Sequence, residues 1–290
     1  MCFKRIGEFN KVKHFTSFII PCYNGARWIG EAIDSIFVQG LEVSDFEVVI
    51  TDDGSTDNSK DVLEKYKQKY SNLKVVYHGK NIGVYSGAMA FNTCVENSKG
   101  DLIFALDQDN YLPPDTVSKM ICTLDEHKWD MVCTERVKFF RGEKNEEGNY
   151  EYGYKGDWIY KICEEGYIGL RHILTHTIAP SHDGNYLYTR ESFDRAGGYP
   201  DSIVDCFGFG LRQAFHGCKM MIAFGTYYWH RVHPDSAWVT NSPDFKNEKA
   251  IAERLREFPQ IFSGMVRAYL NSGGNFEDIG RKTEEHFFLF

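Results

Sequence analysis

A chain of 290 residues with a net charge of −8, from 41 acidic and 33 basic side chains, is too acidic for a general nucleic-acid binder. At 42% hydrophobic residues it is neither disordered nor collagen-like, and no apolar run reaches the ~18–20 residues a transmembrane helix needs. Aromatic residues reach 15%, which fits either flat ligand surfaces or a bulky core.

The elements follow from hydrophobic periodicity. Residues 16–21 (TSFIIP) read as a short buried strand. From Ala26 to Gln39, Trp28, Ile29, Ala32, Ile33, Ile36 and Phe37 form a helical stripe. A second strand, 46–51, runs into Asp52-Asp53-Gly54-Ser55, and a charged helix follows over 57–70. A third strand covers 73–78, a helix of small residues 83–97, and a fourth strand 101–106 leads into Asp107-Gln108-Asp109. Strands spaced by helices give βαβ units and a mostly parallel sheet.

The second half is less regular. Residues 141–156 are polar and glycine-rich, a loop, an exposed hairpin or a mobile lid. Residues 157–176 read as an amphipathic helix, and 244–258 and 260–270 as two helices split by Pro259, the second stopped by Gly273-Gly274. No linker composition or repeat appears. The expected organisation is a domain over 1–240 with a helical extension over 241–290 packed on it.

No apolar core follows Lys4, Arg5, Lys11 and Lys13, so no signal segment is expected. Eight cysteines without a Cys-x-x-Cys pair suit buried thiols of a reducing, cytoplasmic compartment. The apolar ending Phe287 to Phe290 offers a peripheral contact with a membrane or partner, or packs on its own domain.

In an open parallel sheet, ligands bind beyond the carboxyl ends of the strands. Three polar clusters fall there: Pro21-Cys22-Tyr23-Asn24, Asp52 to Asp57, and Asp107 to Asn110. Turn chemistry explains any one of them; three at equivalent strand ends ask for more. Asp107-x-Asp109 suits a hard divalent cation able to hold a diphosphate. The glycine-rich loops of dinucleotide and P-loop sites are absent. His172 and His176 stand at helical i, i+4 spacing with His182 beyond them, but without a Glu after His172 or a nearby cysteine they give zinc little support. Trp158, Tyr160 and Tyr167 suit sugar stacking or ordinary packing.

The ordered stretches TSFIIPCYNGARWIGEAIDSI, FEVVITDDGSTDNS and KNIGVYSGAMAFNTCVENSKGDLIFALDQDNYLPPD resemble the family 2 glycosyltransferases of GT-A fold over residues 16–117. GNYLYTRESFDRAGGYPD (184–201), DCFGFGLRQAFHG (205–217) and YYWHRVHPDSAW (227–238) extend the resemblance. It implies an α/β, Rossmann-like, mostly parallel central sheet flanked by helices. It also implies an inverting, metal-dependent enzyme that moves a sugar from a nucleotide-diphosphate sugar, most often a UDP-sugar, to a hydroxyl acceptor such as a glycan. Mn2+ or Mg2+ would be the cofactor.

By that resemblance, Pro21, Tyr23 and Asn24 line the nucleotide pocket, and Asp53, with Asp52 beside it, meets the base. Asn81 and Gly83 match the Asn-x-Gly element. Asp107, with Gln108 beside it, faces the ribose or metal, and Asp109 ligates the metal. His233 adds a metal or diphosphate contact, with His230 as the alternate, and Arg231 a diphosphate contact. Asp183 and Trp238 are acceptor-side candidates. The family's Glu-Asp pair before a Leu-Arg element is reduced here to Asp205 before Leu211-Arg212, so Asp205 is the candidate base and Asp201 its competitor. The processive signature Gln-x-x-Arg-Trp is absent, which favours single transfers. The alternatives are a degenerate nucleotide-sugar or glycan-binding module and, last, a nucleotidyltransferase.

Overall fold

A computed structural model describes residues 14–82, 87–159, 167–168, 185–200, 205–236 and positions 267, 270, 271 and 273. The first half follows the expected alternation. Strand β1 (Thr16–Cys22) leads to helix α1 (Ile29–Ile36), a 3-10 turn (Val43–Asp45), β2 (Phe46–Asp52), α2 (Ser59–Lys69), β3 (Leu73–Tyr77), α3 (Ala88–Glu96), β4 (Leu102–Ala105) and α4 (Thr116–His127). The second half adds β5 (Met131–Lys144), β6 (Tyr150–Ile159), β7 (Tyr167–Ile168), β8 (Tyr186–Thr189), α5 (Arg190–Ala196), α6 (Asp205–Phe215) and β9 (Met220–Val232).

The strands form one sheet in the order β3-β2-β1-β4-β8-β5-β9-β7, with β6 on β5. β3, β2, β1 and β4 are parallel neighbours. β8 enters antiparallel between β4 and β5, and β9 runs parallel to β5. Side chains that alternate along a strand face opposite sides. Phe18, Ile20, Val48, Ile50, Leu102 and Phe104 therefore pack under α1, α2 and α4, with Ile29, Ile33, Leu63 and Met120. Ile19, Val49, Ile103 and Ala105 face α3, α5 and α6, with Phe91, Cys94 and Phe209. The central sheet is thus sandwiched between two helical layers.

One expected element is corrected. Residues 157–159 belong to β6 and 167–168 to β7, so the helix over 157–176 does not form there. Aromatic residues at Tyr150, Tyr152, Tyr154 and Trp158 recur at even spacing, a strand pattern of residues that favour strands, and β6 pairs antiparallel with β5. The 141–156 stretch is accordingly the tip of this hairpin. The helix expected over 244–258 lies outside the described residues. Within 260–270, Arg267 and Leu270 are helical, and Gly273 follows at φ +91° with its N–H on the Leu270 carbonyl at 3.1 Å.

Candidate functional site

Because β1, β2 and β4 are parallel, their carboxyl ends open on one side, and Cys22 sits opposite Asp52 in register. The loops there are interlocked by side chain to main chain bonds. The Gln108 carboxamide accepts from the Tyr23 N–H and donates to the Tyr23 carbonyl, both at 3.0 Å. Asn24, in the left-handed region at φ 49°, accepts from the Thr56 N–H at 2.8 Å through Oδ1 and donates its own N–H to Ser55 at 2.9 Å. Ser59 Oγ accepts from the Gly25 N–H at 2.8 Å. Asn24 and Gln108 thus tie the three loops together, while Tyr23 stays exposed and Pro21 lies under Gly87 at the start of α3.

Asp52, which ends β2, and Asp53 after it are buried, at 4% and 3% exposure. Asp52 accepts from the Ser55 hydroxyl. One oxygen of Asp53 accepts from His78 Nδ1 at 2.6 Å and from the Ile82 N–H at 3.1 Å, and His78 Nε2 reaches Thr93 Oγ1 at 3.2 Å. Gly54, at φ +72°, lets the loop turn under Lys80 and Asn81; a Cβ there would stand 2.4 Å from the Asn81 nitrogen. Asn81 itself is exposed, and Gly83 lies outside the described residues.

After β4, the two acids of Asp107-x-Asp109 have separate surroundings. Asp107 Oδ2 accepts from Asn110 at 3.0 Å and Asn185 at 3.4 Å. Asp109 Oδ2 meets His233 Nε2 at 2.9 Å. His233 is buried against the Trp28 ring, 5.4 Å between centroids, and its Nδ1 makes no hydrogen bond among the described residues. A carboxylate oxygen and an imidazole nitrogen this close fit one divalent cation, with substrate oxygens and water completing the shell, as Mg2+ and similar hard cations prefer. Among the described residues no set of three His, Cys, Asp or Glu side chains could hold a metal.

The strand alternation of β9 turns His230 to Phe139 and Tyr228, 5.4 and 6.2 Å between ring centroids, so His233 is the histidine brought to Asp109. Arg231, implied as a diphosphate contact, is 1% exposed. Its Nε donates to the Asp109 carbonyl at 2.8 Å and its Nη2 to Glu31.

Asp205 opens α6, and its carboxylate accepts from the Cys206 N–H at 2.8 Å. Burial first, then the charges of Asp205 and Asp107, push the Cys206 thiol well above its usual pKa. Asp201, Asp183 and Trp238, like Tyr160, His172, His176, His182 and the apolar ending, lie outside the described residues.

Sequence reading missed His78, Glu31, Trp28 and Asn185. His78 closes β3 at the same sheet edge as Asp53, and the strand-end rule applied to β3 would have flagged it. Glu31 and Trp28 read only as part of an amphipathic helix, and nothing in the sequence ties them to residues 231 and 233.

The six cysteines described form no disulfide, and no described helix is long and apolar enough to cross a membrane.

The model for glycosyl transferase family 2 matches residues 17–197. Poly(ribitol-phosphate) beta-N-acetylglucosaminyltransferase TarS of Staphylococcus aureus is 33% identical over 116 residues, 40% of this chain and 20% of TarS. The chain's matched part spans between 20% and 32% of the first curated relatives. Among solved structures, S. aureus TarS in complex with UDP-GlcNAc superposes with a TM-score of 0.61 at 22% identity, over 77% of this chain and 60% of that one. The mannosyltransferase PcManGT of Pyrobaculum calidifontis, in complex with GDP-Man and Mn2+, gives 0.61 at 17% identity, over 92% and 78%. These likenesses show the fold, the GT-A arrangement of a mostly parallel central sheet flanked by helices.

Proposed function

Because this chain belongs to glycosyl transferase family 2, we propose that it moves a sugar from a UDP-sugar to a hydroxyl acceptor such as a growing glycan, with inversion and one sugar at a time. The observation that carries this reading is the meeting of Asp109 with His233 at 2.9 Å on the sheet edge that also holds Asp52 and Asp53. The UDP-GlcNAc of the TarS structure supports a uridine nucleotide, and the Mn2+ of the PcManGT structure supports a divalent cation. The cysteines, none of the six described in a disulfide, support a reducing, cytoplasmic setting.

In this reading Asp53, oriented by His78 and the Ile82 N–H, accepts from the base. Tyr23 and Pro21 flank the nucleotide, and Asp107, steadied by Asn110 and Asn185, faces the ribose. Asp109 and His233 would hold Mn2+ or Mg2+, which when bound offsets the charge of a departing diphosphate. Asp205 takes the proton of the acceptor hydroxyl as it attacks, the general-base step that inversion needs.

The test is turnover of a nucleotide-sugar panel with Mn2+ or Mg2+. Asp109→Ala should lose metal-dependent turnover, and Asp205→Asn should abolish transfer while keeping donor affinity. Unchanged turnover in either variant removes that residue from its role. One observation favours a second reading: Cys206, not a second acid, follows Asp205. If UDP-sugars bind and neither transfer nor hydrolysis occurs across a wide acceptor panel, the chain is a nucleotide-sugar-binding module.

A further inference from the structure

Among the described residues Arg231 is the largest fully buried side chain, and several of its contacts lead to the Asp109–His233 pair. Its N–H donates to Asn110 Oδ1 at 3.0 Å and its Nε to the Asp109 carbonyl at 2.8 Å. Its Nη2 pairs with Glu31 of α1, whose other oxygen accepts from the Tyr150 hydroxyl of β6 at 2.8 Å. The guanidinium lies 4.2 Å from the Trp28 ring centroid, 4.5 Å from Phe140 and 4.9 Å from Tyr150. Trp28 in turn packs on the His233 ring. At Gly142 the hairpin backbone comes so close that a Cβ would stand 2.8 Å from His233 Cβ.

A buried guanidinium held on several sides has one geometry, and a planar fork spans two acceptors where a lysine ammonium is only a point donor. At 1% exposure the side chain is closed off from solvent, and among the described residues its Nη1 alone is left without a hydrogen-bond partner. The pattern is that of a partner lying behind a metal ligand, fixing the ligand without touching the ion.

We propose that Arg231 is a positioning residue. With Glu31 and Tyr150 it forms a brace from α1 and the β5–β6 hairpin that fixes the Asp109 main chain, and through Trp28 the His233 ring, in the geometry that takes a divalent cation. The inference rests on the metal reading of Asp109 and His233 given above. It makes Mn2+ affinity depend on residues that touch neither metal nor nucleotide.

The experiment is calorimetric titration of the full chain with UDP in the absence of metal, and with Mn2+ at saturating UDP, for wild type, Arg231→Lys, Glu31→Gln and Tyr150→Phe. Free Mn2+ is read independently by its paramagnetic resonance signal, and thermal melts check folding. Glu31→Gln keeps the arginine in place and serves if Arg231→Lys fails to fold. The expected result is Mn2+ affinity about tenfold or more weaker in Arg231→Lys and Glu31→Gln, the range for partners behind a metal ligand. A smaller loss is expected in Tyr150→Phe, and unchanged metal-free UDP affinity in all three. Glu31→Gln with wild-type Mn2+ affinity overturns the brace, as does Arg231→Lys losing metal-free UDP affinity, which marks a direct nucleotide contact. A wild type that takes up no Mn2+ overturns the metal reading itself and the brace with it.

Discussion

One oxygen of Asp53 accepts from His78 Nδ1 at 2.6 Å and from the Ile82 N–H at 3.1 Å in a site 3% exposed. A buried carboxylate deprived of a donor bears the desolvation cost of an unsatisfied polar group, about 1–3 kcal/mol and more where the group is charged. His78→Ala is therefore expected to lower stability by about 2 kcal/mol and to weaken UDP binding as Asp53 loses its fixed direction. His78→Asn, which keeps an N–H donor, should recover part of both. Urea denaturation and calorimetric UDP titration measure the two effects, and a His78→Ala variant with wild-type UDP affinity would separate the dyad from nucleotide binding. The same residue marks a limit of reading from sequence. Asp53 stands out because Asp52-Asp53-Gly54-Ser55 is contiguous, whereas its partner comes from the neighbouring strand, 25 residues on. Arg231 and Glu31 are 200 residues apart, so the packing of this arginine among Trp28, Phe140 and Tyr150 becomes visible only in the fold.

Among the elements, β1, β2, β4 and helices α1 to α3 were legible because burial on both sheet faces leaves unbroken apolar runs, and one-sided helices leave a stripe. The β5–β6 hairpin was legible only in part. Its alternating tyrosines are spread among glycines and charges, so the turn signals of 141–156 stood out and the strand after them did not. The loops at the strand ends are set by local chemistry, and Gly54 is the clearest case. At φ +72°, with the Lys80 and Asn81 backbone against its α-carbon, the position is strained for any other residue and has no room for a methyl group. Gly54→Ala is expected to cost about 1–3 kcal/mol, and to push the Asn81 segment off the Asp52-Asp53 loop. A melt depressed by several degrees together with weaker UDP binding checks this. A normal melt with normal binding would mean that the two loops move apart without consequence.

Across the molecule, the sheet has two ends with different work. The carboxyl ends of β1, β2 and β4 carry the candidate site, and the opposite ends are closed by His14, whose ring bonds Asp125 of α4 at 2.8 Å and also meets Asp101 just before β4. Burial disfavours a charge on His14, but its hydrogen bonds and charge attraction to the two carboxylates outweigh burial and raise its pKa above 6.5. A group whose pKa is raised on folding contributes its stabilisation in full below the unfolded value, and loses it as pH rises through the folded value. The melting temperature should therefore carry a component that declines as pH climbs from 6.5 through the raised value. His14→Gln, which keeps a donor but cannot take a proton, should flatten that component and make the protein less stable chiefly at the acid end. Because the pair sits at the far end of the strands, metal-free UDP affinity at fixed pH should be the same in His14→Gln and wild type. Melts across pH 5.5–8.5 (about one unit below to two above the ordinary histidine range) decide the matter: a variant with the wild-type slope assigns the pH dependence to another group.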